Sequence, residues 1–452
     1  MKSRSIKLVP AIALVGLFSL FVLRLQADIL AQTPEPAGDV PEFRQPMGMN
    51  LSPYAPDGEP IDDEVVSDLE NLGVKWMRFE FRAKGTPPDI PYDDYHLAVD
   101  NLAARGVEVL GLIDYTTLPL PKEEWSTTDY RDEFANLTSQ IVGEFKNQIH
   151  AWEIWNEEDI GYDPDNPEDG GETYLSPLHF AYLLGGDPTA DEITHPWAKL
   201  GVYQAIKEQD PEATVLLGGL SNAWKGEDGR GAGHYLDELY QQLAALGYGP
   251  SSWPFDVVGV HPYYGLEPDP AIYLFDGGDY ILRANLWTVM QDNGDGDKPF
   301  WITEIGWNTN DKQWSCIFPS VTEARQAAYL YRSWDIFLSE PTSESEVLVD
   351  KVFWFMYQDT GIEVDPATCW LVDGLPAAEI AADPHTRIMP PRVTPTPDPD
   401  RASQIETVVI DFWFGVVHGD YVPKPSYYVY RMVGQVGGTI YLPMILRSSA
   451  AP

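Results

Sequence analysis

The sequence is poor in two kinds of residue, cysteines and cations. Its 452 residues include only 2 cysteines, too few for a disulfide scaffold or a cysteine-based zinc site. Its 29 Lys and Arg residues stand against 70 Asp and Glu, which gives a formal net charge of −41. Because so acidic a chain repels phosphate backbones, no nucleic-acid partner is expected. Polyuronate substrates are disfavoured as well, unless a local basic pocket offsets the field.

The sequence also lacks the loops that bind common cofactors. No Gly-rich phosphate loop follows an early strand, which argues against an open, doubly wound nucleotide-binding sheet. Residues 163–172 and 292–297 are acidic, but neither segment has the alternating acids and sixth-position glycine of a calcium loop. We therefore expect no cofactor and no catalytic metal.

The N-terminus has the pattern of an export signal. Three cations among the first seven residues precede an apolar run over residues 8–23. The run is shorter than the roughly 20 residues that cross a bilayer, and a small residue, Ala27, follows it. This pattern predicts a signal peptide over residues 1–27 and a secreted or cell-surface protein. An uncleaved anchor is the alternative, and contact with a membrane is expected only in that case.

The rest of the chain divides by composition. Residues 28–45 form a predicted Pro-rich linker, and residues 46–435 form the predicted catalytic domain. A second Pro-rich stretch at residues 390–400 is an insertion in that domain, and residues 436–452 are a short apolar C-terminal tail. With 44% hydrophobic residues, the chain can bury a large core.

Within the predicted domain, eight short apolar runs alternate with longer segments of helical period. Runs that are apolar throughout are typical of strands covered on both faces. The runs cover residues 47–51, 74–81, 107–113, 150–156, 214–220, 257–261, 300–305 and 352–357. Eight such units predict an α/β fold, a (β/α)8 TIM barrel with long βα loops. The eighth helix is expected at residues 427–433, after a long excursion.

Two of the predicted strands carry a glutamate where the strand ends. Glu157 closes the segment Trp-Asn-Glu at the end of strand four, and Glu304 lies in Thr-Glu-Ile-Gly-Trp at the end of strand seven. The active site of such a barrel lies at the carboxyl ends of its strands. Two carboxylates that face each other across a sugar are what glycosidic bond cleavage requires.

These two segments resemble the motifs of clan A glycoside hydrolases, which are retaining enzymes on (β/α)8 barrels, and especially families 39 and 5. The resemblance covers roughly residues 44–435 as architecture, and its specificity lies in a handful of short motifs. It implies that Glu157 is the general acid/base and Glu304 the nucleophile. It also implies that Asn156 binds the sugar 2-hydroxyl, a contact that strengthens in the transition state.

The same resemblance implies four further substrate-binding residues. Arg78 corresponds to the strand-two arginine that pairs with the nucleophile, and a nearby cation keeps a carboxylate ionised. His261 and Tyr263 resemble the His-x-Tyr segment of strand six, with the Tyr263 hydroxyl near the nucleophile. Trp354 resembles the aromatic floor under the reactive sugar. Asp114 ends strand three and could also reach the sugar, but the resemblance implies no role for it.

The two cysteines fall in loops that would be neighbours in this barrel. Cys316 follows strand seven and Cys369 follows strand eight. In an exported protein we expect a disulfide between them, and this bond would stiffen the rim of the cleft.

The sequence therefore predicts an exported retaining glycoside hydrolase that cleaves neutral oligo- or polysaccharides by double displacement. Two alternatives stay open. One is a carbohydrate-binding barrel at the cell surface that has lost catalysis, and the other is a transglycosylase that uses the same residues. The sugar, the linkage, and endo or exo action follow from none of the motifs.

Overall fold

The structure is a computed structural model. It describes residues 47–52, 60–85, 87–167, 170–221, 231–263, 268, 285–309, 321–338, 348–358, 360–364, 408–412, 416–417 and 423–436. The predicted signal peptide, the linker and the Pro-rich insertion lie outside these residues. So do Cys316, Cys369 and the tail from residue 437 onward.

A closed barrel of eight parallel strands forms the centre of the described fold. Each strand pairs with its neighbours in sequence, and the last strand pairs with the first. The strands are β1 (Met47–Asn50), β2 (Trp76–Glu80), β3 (Glu108–Ile113), β4 (Ala151–Asn156), β5 (Thr214–Ser221), β6 (Val257–His261), β7 (Phe300–Ile305) and β8 (Val349–Trp354). Every predicted apolar run contributes one strand, so the predicted (β/α)8 barrel is confirmed.

Helices follow each strand of the barrel. They are α1 (Asp63–Leu72), α2 (Tyr92–Ala103), α3 (Thr128–Phe145), α4 (Pro177–Gly185), α5 (Pro196–Leu200), α6 (Val202–Gln209), α7 (Gly231–Ala245), α8 (Thr288–Asp292), α9 (Glu323–Leu338) and α10 (Pro425–Val436). The predicted eighth helix lies within α10. None of the helices described here is both long enough and apolar enough to cross a membrane.

The strands are buried on both faces, as their unbroken apolar runs require. One set of side chains points outward and packs under the helices in a single large core. A second, separate cluster fills the barrel itself, and each of six strands contributes one buried residue to it. Its members are Leu110, Ala151, Leu216, Val257, Trp301 and Phe353. This cluster closes the inside of the barrel, so the site must lie above it.

Strand β8 begins three residues earlier than its apolar run predicts. Asp350 and Lys351 interrupt the hydrophobic pattern, yet both lie in the strand. The Lys351 ammonium lies 4.6 Å from the ring centroid of Trp76 and 4.5 Å from that of Trp301. A cation over two indole faces is accommodated by their π electrons, which is why a lysine can occupy this strand position.

Local capping explains where individual helices begin and end. Before α1, the Asp62 side chain accepts hydrogen bonds from two backbone N–H groups of the first turn, and Gly73 ends the helix at φ 81°. The sequence predicts a capping box for α9 with Ser320 as its cap. The backbone N–H of Arg325 instead donates to the Thr322 hydroxyl at 3.3 Å, and Ser320 lies outside the described residues.

A second, small sheet lies in the excursion between β8 and α10. Strand β9 (Thr360–Val364) pairs antiparallel with β10 (Val408–Phe412) over five residue pairs. The sequence predicts no strands here. The two strands are far apart in the chain and a Pro-rich stretch separates them, so no local sequence pattern indicates that they pair.

Candidate active site

The two predicted carboxylates meet at the carboxyl end of the barrel. Glu157 directly follows β4, and Glu304 is the last residue but one of β7. The His261 ring, at the end of β6, joins them: its Nδ1 lies 3.0 Å from Glu157 Oε1 and 3.8 Å from Glu304 Oε2. Both contacts share one nitrogen, so these two oxygens are at most 6.8 Å apart, the sum of the two distances.

Arg78, on β2, organises one side of this site. Its side chain is only 4% exposed. Nη1 donates to Glu304 Oε1 at 2.6 Å and Nε donates to Glu153 Oε2 at 2.5 Å. The same guanidinium also donates to the side-chain oxygens of Asn50, at 3.0 Å, and Asn156, at 2.8 Å. This rigid fork thus binds four side chains from three strands at once, which a lysine ammonium could not reproduce.

Glu304 is held in its ionised form. Burial by itself raises the pKa of this carboxyl, but the nearby His261 and the Arg78 guanidinium more than offset it. The Tyr263 hydroxyl donates to Glu304 Oε2 at 3.1 Å and lowers the pKa further. The net effect is a pKa below the ordinary value of a glutamate. An ionised carboxylate with both oxygens positioned is suited to nucleophilic attack.

His261 is fully buried between the two carboxylates. Burial lowers the pKa of its ring, but the charge of Glu304 and the contact with Glu157 outweigh that effect, so the pKa is raised overall. Its second nitrogen, Nε2, lies 3.1 Å from the Thr303 hydroxyl. A Cβ at Gly219 of β5 would lie 1.9 Å from this nitrogen, so only glycine lets the ring occupy this position.

The end of β4 departs from regular strand geometry. Side chains three apart on a strand normally face opposite sides, yet Glu153 and Asn156 both bind Arg78. Trp155 between them has φ 75°, and Glu157 has φ 53°. The left-handed backbone at Trp155 turns its indole outward, where the indole N–H donates to the Thr173 carbonyl. Asn156 is therefore free to turn inward.

The sequence-based prediction assigns no role to three residues of this network. They are Asn50 on β1, Glu153 on β4 and Thr303 on β7. The Asn50 amide donates to the Thr303 carbonyl at 2.9 Å, and the Thr303 hydroxyl donates to Glu153 Oε1 at 2.9 Å. Each is a polar residue inside an apolar run, and that interruption is the signal from which they could have been found.

Trp354, the predicted floor of the sugar site, is the last residue of β8 and is buried. Its ring is 1% exposed and packs against the Trp307 ring at a centroid distance of 5.8 Å. Trp307, at the end of β7, is also buried. Since the Trp354 ring is covered in this structure, its stacking against a sugar stays a prediction.

A second pair of acidic side chains lies at the ends of β2 and β3. Asp114 is fully buried, and its Oδ1 accepts hydrogen bonds at 2.7 Å from the backbone N–H and the hydroxyl of Thr116. Its Oδ2 has no hydrogen-bond partner in the described part of the chain. Burial, and then the charge of Glu80, raise the pKa of Asp114 to about 7. Glu80 itself pairs with Arg82.

This burial predicts how stability depends on pH. Because folding raises the pKa of Asp114, the native state keeps a proton that the unfolded chain loses, so stability falls as pH rises from about 4 to about 7. Asp114→Asn cannot ionise. We expect it to match the wild type near pH 4 and to be more stable at pH 8 by on the order of 2–4 kcal/mol. Urea unfolding at both pH values measures this, and equal stability at pH 8 would contradict it.

Among the residues that the structure describes, no group of three or more His, Cys, Asp or Glu side chains is arranged to hold a metal ion. The site is built instead from carboxylates, one guanidinium, one imidazole and hydroxyl groups.

Of the comparisons with known proteins, only the one with solved structures finds similar proteins. No family model matches this chain, and no curated protein matches it. Solved structures do match, among them a family 39 glycoside hydrolase from the gut symbiont Bacteroides cellulosilyticus WH2, with a TM-score of 0.51 and 19% identity. The two chains share the (β/α)8 barrel fold. That match covers 88% of this chain, and this chain spans 65% of the length of the family 39 structure.

Two further barrel glycoside hydrolases align at similar quality. A glucosidase from Croceicoccus marinus has a TM-score of 0.50 and 16% identity, over 87% of this chain and 68% of its own. A family 1 β-glucosidase from Thermotoga maritima has a TM-score of 0.50 and 14% identity, over 89% of this chain and all of its own. These neighbours confirm the suspected clan A resemblance at the level of the fold.

Proposed function

We propose that this protein is a retaining glycoside hydrolase, with Glu304 as nucleophile and Glu157 as general acid/base. The observation that carries the proposal is the meeting of these two carboxyl groups at one buried histidine, at the carboxyl end of the barrel. Their environments differ. Glu304 is held ionised by Arg78 and Tyr263, whereas Glu157 contacts the His261 ring and is the more exposed of the two, at 23% against 13%.

The proposed reaction proceeds in two displacements. A Glu304 oxygen forms a bond to the anomeric carbon while the bond to the leaving oxygen breaks, and Glu157 gives its proton to that oxygen. Glu157 then takes a proton from water as the water oxygen attacks the anomeric carbon. The ester bond to Glu304 breaks in this step and releases the carboxylate. In the proposed reaction Asn156, whose side-chain oxygen accepts from Arg78, binds the sugar 2-hydroxyl.

The spacing of the two carboxylates supports retention. Retaining glycosidases hold their carboxyl groups about 5–5.5 Å apart, and inverting ones about 6.5–9.5 Å apart. The upper limit of 6.8 Å between Glu157 Oε1 and Glu304 Oε2 is compatible with the retaining spacing.

Charge supports neutral sugars as the substrate class. The site brings Glu153 and Glu304 onto a single guanidinium, that of Arg78, with Glu157 beside His261, and the whole chain carries a formal charge of −41. A uronate would meet repulsion from both. We further propose that the enzyme is exported, as the N-terminal segment predicts, and acts on oligo- or polysaccharides outside the cell.

The purified protein can be tested with a panel of 4-nitrophenyl glycosides. We expect release of nitrophenol from at least one neutral glycoside, and proton NMR of the first product should show the anomeric configuration of the substrate. An inverted product contradicts the retaining mechanism. Binding without release favours the carbohydrate-binding barrel, and transfer of the sugar to an added acceptor in place of water identifies a transglycosylase.

A further inference from the structure

Tyr115 lies at the carboxyl end of the barrel, and no step of the proposed reaction uses it. It is the second residue after β3, which ends at Ile113. Strand β3 lies between β2, which carries Arg78, and β4, which leads into Glu157. The Tyr115 side chain is half-buried. One part of it therefore packs against the protein, and another part is open at the edge where the active site of such a barrel lies.

Two buried indoles hold the Tyr115 ring in place. The ring stacks on that of Trp125 at a centroid distance of 5.5 Å, with 28° between the two planes. It meets the Trp155 ring edge to face at 5.7 Å. Both indoles are buried, and their own rings meet at 5.0 Å. Because the ring is supported in this way, its direction is fixed, and the position of its hydroxyl is fixed as well.

The direction of the hydroxyl follows from the charges that act on it. Burial raises the pKa of the Tyr115 phenol, and so do the charges of four carboxyl groups, those of Asp114, Glu80, Glu157 and Glu304. Glu304 belongs to β7, which lies across the barrel from β3, and the interaction between charges falls with distance. A phenol that both Glu157 and Glu304 affect must point into the mouth of the barrel and not toward the helices outside it.

The Tyr115 hydroxyl makes no hydrogen bond within the described part of the chain. Buried tyrosine hydroxyls usually have a protein partner, and Tyr263, at the same site, donates to Glu304. Since the pKa of Tyr115 is raised, its phenol stays protonated at neutral pH and can donate a hydrogen bond. The mouth of the barrel thus contains a neutral donor for which no described residue is the acceptor.

We propose that Tyr115 is a substrate-binding residue whose hydroxyl donates a hydrogen bond to a hydroxyl group of the sugar between Glu157 and Glu304. This inference rests on the proposed function and names a part of the substrate that the site selects. A neutral donor is suited to a sugar hydroxyl, and a sugar that lacks this hydroxyl would leave the phenol unpaired. Tyr115 thereby favours sugars that carry the hydroxyl over their deoxy analogues.

The test compares the wild type with Tyr115→Phe, which keeps the ring and its contacts with the two indoles but removes the hydroxyl. On the 4-nitrophenyl glycoside that the wild type cleaves fastest, we expect kcat/KM to fall about tenfold. Unfolding in urea should be unchanged, because the hydroxyl contributes no hydrogen bond to the described fold. An unchanged kcat/KM in Tyr115→Phe overturns the proposal.

Tyr92→Phe is a matched control for the loss of a hydroxyl. Tyr92, the first residue of α2, is also half-buried and makes no hydrogen bond to the residues that the structure describes. Burial and the charges of Asp89 and Glu144 raise the pKa of its phenol, and neither proposed catalytic glutamate is among the causes. We expect wild-type kcat/KM from this variant. A loss as large as that in Tyr115→Phe would contradict the proposal.

Deoxy substrates show whether the lost contact is one to a sugar hydroxyl. The wild type and Tyr115→Phe are compared on 4-nitrophenyl glycosides that each lack one hydroxyl of the preferred sugar. For one of these glycosides the contact is already missing in the wild type, so the substitution should change kcat/KM by less than about twofold. On the others the roughly tenfold loss should remain. An equal loss on every deoxy glycoside overturns the proposal.

Binding measurements separate this inference from the proposed function. If the wild type hydrolyses no glycoside, the proposed function fails, and the ligands become the methyl glycosides of glucose, galactose, mannose and xylose. Isothermal titration calorimetry then gives their Kd values for the wild type and Tyr115→Phe. A Kd about tenfold higher in the variant supports the contact in a barrel that binds sugar without cleaving it. Equal Kd values, or no binding of any of the four, overturns this inference as well.

Discussion

Glu304→Gln is expected to lower kcat by about 10⁴-fold or more, because the amide cannot form the glycosyl-enzyme. Glutamine has the shape of glutamate: its oxygen can still accept from Arg78, and its NH2 group can donate to the Tyr263 hydroxyl. The loss therefore reports on the chemical step and not on the fold. The measurement is the initial rate on the best 4-nitrophenyl glycoside, with unfolding curves of both proteins as a check on integrity.

The matching variant of the acid/base separates the two roles. Glu157→Ala should still react with a glycoside whose leaving group needs no proton, and added azide should restore turnover and give a glycosyl azide of retained configuration. In Glu304→Ala, azide replaces the missing nucleophile directly, so its product should have inverted configuration. Glu304→Gln with wild-type activity, or the same azide product from both alanine variants, would refute the assignment of these roles.

Arg78→Met is expected to destabilise the fold by about 3–5 kcal/mol. Methionine fills most of the volume but leaves two carboxylates, Glu153 and Glu304, buried without their cation. It also leaves the side-chain oxygens of Asn50 and Asn156 without a donor. Removing one partner of a buried ion pair leaves the other charge buried without compensation. This costs more stability than the intact pair contributes. Urea unfolding at neutral pH measures the change.

Arg105→Met is a matched control for this loss. Arg105 also pairs with two carboxylates, those of Asp63 and Glu70, but both partners are more than half exposed. Water can solvate them after the arginine is removed, so we expect a much smaller change. If the two variants lose similar stability, the buried network around Arg78 does not have the energetic role that we assign to it.

Arg78→Met should also move the acid limb of the activity profile. Burial raises the pKa of Glu304, and the Arg78 cation is one of the groups that bring it down. Without that cation the carboxyl keeps its proton to higher pH, so a smaller fraction is ionised at pH 5 to 6. The acid limb of kcat/KM is therefore expected at higher pH than in the wild type.

The fold could be predicted from the sequence because it depends on repetition. Eight apolar runs separated by helical segments have few packing solutions, and the parallel barrel covers both faces of every strand. The observed bounds differ from the apolar run where a local contact overrides the pattern. Lys351 lies just before the apolar run 352–357, and its position near the rings of Trp76 and Trp301 accommodates it in β8.

The candidate site could be predicted in part. Glu157 and Glu304 stand at the ends of two strands, so the barrel topology brings them to the same edge. The hydrogen-bonded residues beneath them could not be predicted in this way. Glu153 lies in the interior of β4 and Thr303 in the interior of β7. Regular alternation would not place Glu153 and Asn156 on one guanidinium without the left-handed backbone of Trp155.

The sequence by itself determined the barrel, the positions of its strands and the pair of glutamates at their ends, because these depend on periodic burial along the chain. The tertiary structure alone decided which polar groups share hydrogen bonds at the centre. Arg78 joins residues from β1, β4 and β7, and His261 reaches Glu157 only because Gly219 leaves room for its ring. Such contacts depend on distances of a few ångströms between strands far apart in sequence, and no local pattern encodes them.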